Sequence, residues 1–155
     1  MKIGIGYDSH RFAPGRPLVL GGVTIPHPEG LAGHSDADVV THALIDAILG
    51  AAGFGDIGTR FPDSDPKWHG ADSVRLLQQT YLEIVENRMS FVHADIVVIA
   101  EQPKLAPYVE QIRERLAGAL VTGPSTISIK GKTNEGMGFT GRGEGIAAMA
   151  VVLLE

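Results

Sequence analysis

Asp8 and His10 stand two residues apart, just after the apolar start Ile3-Gly4-Ile5. In an extended chain, residues two apart point to the same side, so a carboxylate and an imidazole would project together. That pair suits a divalent metal, zinc above all, or is a plain surface Asp-x-His at a strand end. His42 is the natural third ligand. Two ligands from a strand end and one from a helix leave a fourth position open, as catalytic zinc sites do. At helical spacing His42 falls opposite the apolar stripe Val40, Leu44, Ala47, Ile48 and Ala51, and Asp38 and Asp46 flank it at i−4 and i+4. Asp46 or Asp38 could orient its second ring nitrogen.

Two further stretches carry chemistry. His34-Ser35 precedes the same helix. A helix N-terminus with a hydroxyl and an imidazole can hold a phosphate, and the same residues also read as an N-cap serine beside an exposed histidine. The stretch from Lys132 to Gly145 combines glycines, which permit close backbone approach, with Lys132, Thr133 and Arg142 for phosphate oxygens and Glu135 for a hard cation such as magnesium. It lacks the Gly-x4-Gly-Lys-Ser/Thr spacing of a P-loop. Glycine content alone would favour reading it as a mobile Gly-rich hairpin connection.

These residues need elements to place them. The chain has 155 residues, enough for one domain spanning 1–155 with a real core. A net charge of −5 without a basic run argues against nucleic acid as a partner. The absence of cysteine excludes disulfides and thiolate metal sites. Met1-Lys2 leads directly into a strand pattern, and no apolar stretch is long enough to span a membrane, so a cytoplasmic location is the expectation. Residues 2–10 read as a strand, Arg11 to Pro17 as a turn region, 18–25 as a hairpin about Gly21-Gly22, and 26–33 as loop. A helix follows, starting within 35–38 and closed by Gly53. Gly53 to Gly70 reads as a long functional loop. A helix over 72–88, a strand over 91–100, a helix over 107–120, a strand over 126–130 and a last strand over 146–154 complete the order. The run Ile96-Val97-Val98-Ile99 suggests a strand buried on both faces. The expected fold is a layered α/β domain with helices on one face of a sheet.

Asp8-Ser9-His10, Gly33-His34-Ser35-Asp36-Ala37-Asp38, Gly55-Asp56-Ile57-Gly58, Phe61-Pro62-Asp63-Ser64-Asp65 and Phe139-Thr140-Gly141-Arg142-Gly143-Glu144-Gly145-Ile146-Ala147 occur in that order along nearly the whole chain. Together they closely resemble the 2-C-methyl-D-erythritol 2,4-cyclodiphosphate synthases. The resemblance implies a homotrimer of α/β subunits, each with a four-stranded mixed sheet facing the threefold axis, and active sites between subunits. It implies conversion of 4-diphosphocytidyl-2-C-methyl-D-erythritol 2-phosphate to the 2,4-cyclodiphosphate with release of CMP, in the non-mevalonate isoprenoid pathway. It implies one zinc per subunit on Asp8, His10 and His42, and a magnesium or manganese ion on Glu135 that bridges the substrate diphosphate. His34 and Thr133 would steady the transition state. Ser35, Asp56, Ile57 and Gly58, with the loop Phe61, Pro62, Asp63, Ser64 and Asp65, would contact the substrate. Ala100, Glu101, Gln102, Pro103, Lys104, Leu105 and Ala106, with Lys132 and Asn134, would form the cytidine pocket. Phe139 and Arg142 would lie near the phosphates and the axis, where relatives can hold an isoprenoid diphosphate. Lys132 stands where some relatives have threonine, adding a long cationic side chain at the nucleotide end. A metal-dependent phosphoester hydrolase and a non-catalytic isoprenoid-diphosphate-binding trimer are the competing readings of the same residues.

Overall fold

The structure is a computed structural model and describes residues 1–62 and 64–155. Strand β1 (Lys2–Ala13) continues three residues past His10, where a turn is expected. It does so because both of its edges find partners. β7 (Gly145–Leu154) pairs antiparallel with it as far as Arg11 opposite Gly145, and β4 (Gly30–Leu31) pairs with Phe12 and Ala13. β4 lies in the segment expected to be loop. Among the described residues the sheet therefore has five strands rather than four. The order is β4-β1-β7-β5-β6, with β5 (Phe91–Ile99) and β6 (Ile127–Lys132) parallel and the other pairs antiparallel. β2 (Leu18–Leu20) and β3 (Val23–Ile25) form the expected separate hairpin.

Helix α1 (Val39–Ala52) starts at Asp38, whose side chain accepts the Thr41 N–H at 3.1 Å, and ends at Gly53 in the left-handed region at φ 80°. The Asp38 carboxylate also accepts the Gly21 and Gly22 N–H groups at 2.8 and 2.6 Å, so one cap ties the helix to the hairpin turn. α1 is not the two-faced helix that its spacing suggests. Only Asp46 and Gly50 escape burial, because the helix lies between the sheet and α3 (Ser73–Glu86). Its approach to β1 is backbone-close. A Cβ built on Gly4 would meet the Ala47 carbonyl oxygen at 2.0 Å, and one on Gly6 would meet that of Ala43 at 2.0 Å. Gly4, Gly6, Asp8 and His10 lie on one face of β1. The glycines thus seat the helix on the strand, and the next inward positions fall beside His42.

α4 (Val109–Ala119) connects β5 to the parallel β6, with Ile112 and Leu116 buried as expected. The connection from Gly53 to Gly70 has structure of its own. α2 (Ile57–Arg60) is capped by Asp56, and a 3-10 turn at Pro66–Trp68 is capped by Asp65. The glycine-rich segment before β7 contains the short helix α5 (Gly138–Gly141). Within the single chain, β5 is buried on one face only: Ile96 and Val98 are buried, while Val97 and Ile99 on the outer face are half-exposed. That outer face also presents Ile3, Ile5 and Tyr7 of β1 and Met149 and Val151 of β7, between 38 and 74% exposed.

Candidate active site

Asp8 Oδ2, His10 Nε2 and His42 Nδ1 form a triangle with edges of 2.9, 3.0 and 3.2 Å. Ligand atoms on a tetrahedral zinc, about 2.0–2.2 Å from it, stand about 3.3–3.5 Å apart. The triangle needs to open by only a few tenths of an ångström, so the residues fit zinc. The His10 and His42 rings meet edge-on at 63°, their centroids 5.4 Å apart. His10 Nδ1 donates to the Ala32 carbonyl at 2.7 Å, leaving Nε2 free to ligate, as the outer partners of metal-bound histidines usually arrange. Burial alone would push the Asp8 carboxyl up, but hydrogen bonds from His10 and His42 outweigh it and hold Asp8 well below the usual carboxylate range. Burial would likewise lower His10, and the Asp8 hydrogen bond and charge reverse that, so His10 is raised.

His42 Nε2 faces two hydroxyls, Ser73 Oγ at 2.8 Å and Ser35 Oγ at 3.2 Å. Asp46, expected to orient this ring, instead accepts the Ile57 N–H at 2.7 Å and so anchors the start of α2. Asp38 is occupied with its cap and the hairpin. Spacing on one helix favoured i±4 partners. The partner that folding supplies comes from the N-terminus of α3, 31 residues away.

The triangle opens into a cleft of about 210 Å³ lined by Asp8, His10, Gly33, His34, Ser35, His42, Ile57, Gly58, Phe61, Trp68 and Leu76. Asp56 caps α2 beneath it through the Thr59 N–H at 2.7 Å. Phe61 meets Trp68 edge-to-face at 5.0 Å. Pro62, Ser64 and Asp65 continue the loop beyond the lining residues, and Asp63 lies outside the described residues.

A second cavity of about 260 Å³ is lined by Ala100, Pro103, Lys104, Leu105, Ala106, Lys132 and Thr133, with Leu20, Val98, Val109 and Gly131. Glu101, Gln102 and Asn134 are not in its lining. Glu101 Oε1 instead accepts the N–H groups of Asn134 and Gly136 at 3.0 and 3.4 Å, holding the turn that carries Glu135. Thr133 Oγ1 donates to Glu135 Oε1 at 2.8 Å. His34 and Thr133 therefore fall in different cavities of one chain. Phe139 borders another pocket with Ser9, His10, Arg11 and Glu144, and Arg142 Nε donates to Glu144 at 2.6 Å.

Trp68 and Arg16 of this region were not singled out from sequence, and Asp36 and Ser73 were read only as helix-start residues, Asp36 also within the family motif. Trp68 walls the cleft. Arg16 donates to the carbonyls of Gly33 and Ser35, at 2.6 Å for Gly33, and so braces the His34 loop. Ser73 and Asp36 lie behind His42. The one tryptophan of the chain, set in a Pro- and Asp-rich loop, was a usable signal. Arg16 had none beyond residue type, and nothing in the spacing of Asp36 and Ser73 pointed to His42.

The sequence profile of the YgbB family matches residues 1–155. The chain belongs to the YgbB family. A relative from Symbiobacterium thermophilum named 2-C-methyl-D-erythritol 2,4-cyclodiphosphate synthase is 58% identical over 154 residues, covering 99% of this chain and 98% of its own length. A Moorella thermoacetica relative of the same name is 56% identical, with 99 and 94% covered. Among solved structures, a 2C-methyl-D-erythritol-2,4-cyclodiphosphate synthase in a CDP-bound form superposes with a TM-score of 0.91 at 39% identity, over 99% of this chain and all of that one. The five-stranded sheet and the hairpin described above are this chain's version of a fold shared across the family.

Proposed function

We propose that this YgbB-family chain is a 2-C-methyl-D-erythritol 2,4-cyclodiphosphate synthase acting as a homotrimer in non-mevalonate isoprenoid biosynthesis. The observation that carries the reading is the convergence of Asp8, His10 and His42 on one point, open toward a cleft that also holds His34, Ser35, Ile57 and Gly58. The names of the relatives agree with it. In the reaction, an oxygen of the 2-phosphate bonds to the β-phosphorus while the bond from that phosphorus to the bridging oxygen breaks. CMP leaves with the electron pair. The nucleophile is already an anion, so no strong base is needed. The obstacles are charge repulsion and the entropy of ring closure.

Asp8, His10 and His42 would hold one zinc per subunit, and Glu135 a magnesium or manganese ion. When bound, these metals supply the positive charge that offsets repulsion between the phosphates. The chain's own residues do the positioning. His34 and Ser35, on a loop braced by Arg16, face the cleft where phosphate would sit. Ile57 and Gly58 line the methylerythritol end. Phe61 and Trp68 wall off water, the competing nucleophile. Ala100 to Ala106 and Lys132 bound the second cavity, which has the size for a pyrimidine nucleoside. Thr133 lies in that cavity rather than beside His34, which supports an active site assembled from two subunits. The exposed apolar sheet face supports the trimer that would assemble it. Phe139 and Arg142 take the positions near the axis, where an isoprenoid diphosphate could be held. No described helix is long and apolar enough to cross a membrane, and such a trimer would work in the cytoplasm alongside the other steps of the pathway.

The test is to incubate the purified protein with the cytidyl diphosphate substrate, zinc and magnesium and to follow phosphorus NMR. A cyclic diphosphate appearing with CMP is expected. Release of CMP with an open-chain product would identify a hydrolase instead.

A further inference from the structure

The proposed zinc site has an outer partner that its own helix does not supply. Behind His42, the Ser73 hydroxyl lies 2.8 Å from Nε2 and hydrogen-bonds in turn to the Asp36 carboxylate. The Asp36 carboxylate is an acceptor, and it also takes the Ser73 backbone N–H at 3.0 Å and the Asp38 N–H at 3.2 Å. A hydroxyl has a single hydrogen. Ser73 spends it on Asp36, so the Ser73 oxygen can only accept from the ring. Nε2 must then carry the hydrogen, so the atom left to give its lone pair to a metal is Nδ1, which in the metal-free chain lies 3.0 Å from the Asp8 carboxylate and 3.2 Å from His10 Nε2. We propose that Ser73, backed by Asp36, is the positioning residue that fixes the His42 tautomer and ring plane for metal binding.

The same logic operates on the other side of the site, where the Ala32 carbonyl fixes His10. There the acceptor is backbone and no side-chain change removes it. At His42 the acceptor is a side chain, so its role can be tested. Ser73 is fully buried, and Asp72 rather than Ser73 caps α3 through the Val74 N–H at 2.9 Å. Replacing Ser73 by alanine therefore spares the helix cap. It also leaves Asp36 its two backbone donors, so the change isolates the hydroxyl. Ser35 Oγ, 3.2 Å from Nε2, is the more distant neighbour and already accepts the Ala37 N–H at 3.1 Å.

This inference rests on the zinc-site reading, and its test separates the two. Zinc affinity is measured by chelator competition for the parent and Ser73→Ala, with the thermal melt of each metal-free protein alongside. The expected result is a loss of zinc affinity of about 10–100-fold. The His42 ring N–H resonance of the zinc-loaded protein, protected from exchange in the parent, should broaden or vanish in the variant. An affinity within threefold of the parent, with the ring proton still protected, overturns the role of Ser73. Should Ser73→Ala fail to fold, the parent decides: a His42 Nε2 proton that exchanges as fast as one in an exposed histidine overturns it too. A parent that binds zinc but forms no cyclic product defeats the proposed reaction while leaving the Ser73 measurement intact.

Discussion

At the scale of single residues, the site is a set of polar groups whose partners have been chosen by folding. His42 is the clearest case, with one nitrogen on Asp8 and His10 and the other on Ser73. Removing the ring in His42→Ala is expected to lower turnover by more than about 100-fold, exceeding the loss usual for an outer partner. Gel filtration and circular dichroism should show the assembled, folded protein, and an unfolded variant would mean that the histidine is structural. Asp38 makes the opposite prediction. It is fully buried and accepts from Gly21, Gly22, the Thr41 N–H and the Thr41 hydroxyl. Asp38→Ala removes a cap and leaves buried donors without an acceptor, and should cost about 3–4 kcal/mol in urea unfolding. A loss under 1 kcal/mol would mean that water replaces the carboxylate. The sequence places Asp38 and Asp46 symmetrically about His42. Only the neighbours that arrive from elsewhere, the hairpin turn and the start of α2, give them separate work.

At the scale of elements, the site depends on how closely α1 rides on β1. Gly4 and Gly6 let the helix backbone touch the strand, and Asp8 and His10, the proposed ligands, continue the same strand face. A methyl group on Gly6 would meet the Ala43 carbonyl oxygen, a backbone atom that cannot move without the helix. Gly6→Ala is expected to destabilise the protein by about 3 kcal/mol and to weaken zinc binding together with stability. Zinc binding retained at parental strength would show that β1 and α1 can separate without disturbing the ligands. The element boundaries that periodicity set well are those written in local chemistry. The α1 stop at Gly53 needs a left-handed residue, and the 18–25 hairpin turns on a glycine pair with positive φ. The boundaries it missed depend on a distant partner. Arg11 to Ala13 become strand because residues 30–31 and Gly145 come to lie beside them, and β4 exists through the same pairing.

At the scale of the whole molecule, one face of the sheet is core and the other is open. Ile3, Ile5, Tyr7, Met149 and Val151 form an apolar surface of the kind that soluble chains cover with a partner. If this face builds the proposed trimer, Ile5→Asp should sediment as a smaller species and lose at least about tenfold in turnover, since a buried unpaired charge costs several kcal/mol. A parent protein that sediments as a monomer would refute the trimer itself. The sequence by itself determined the α/β class, the positions of the candidate metal-binding residues on β1 and α1, and the cap and turn chemistry of α1, because these follow from residue type and spacing within one element. Only the tertiary structure decided that α1 is buried except at Asp46 and Gly50, that Ser73 rather than Asp46 stands behind His42, and that His34 and Thr133 open into separate cavities. Those outcomes depend on contacts between segments tens of residues apart, and spacing along one element says nothing about which distant segment will pack against it.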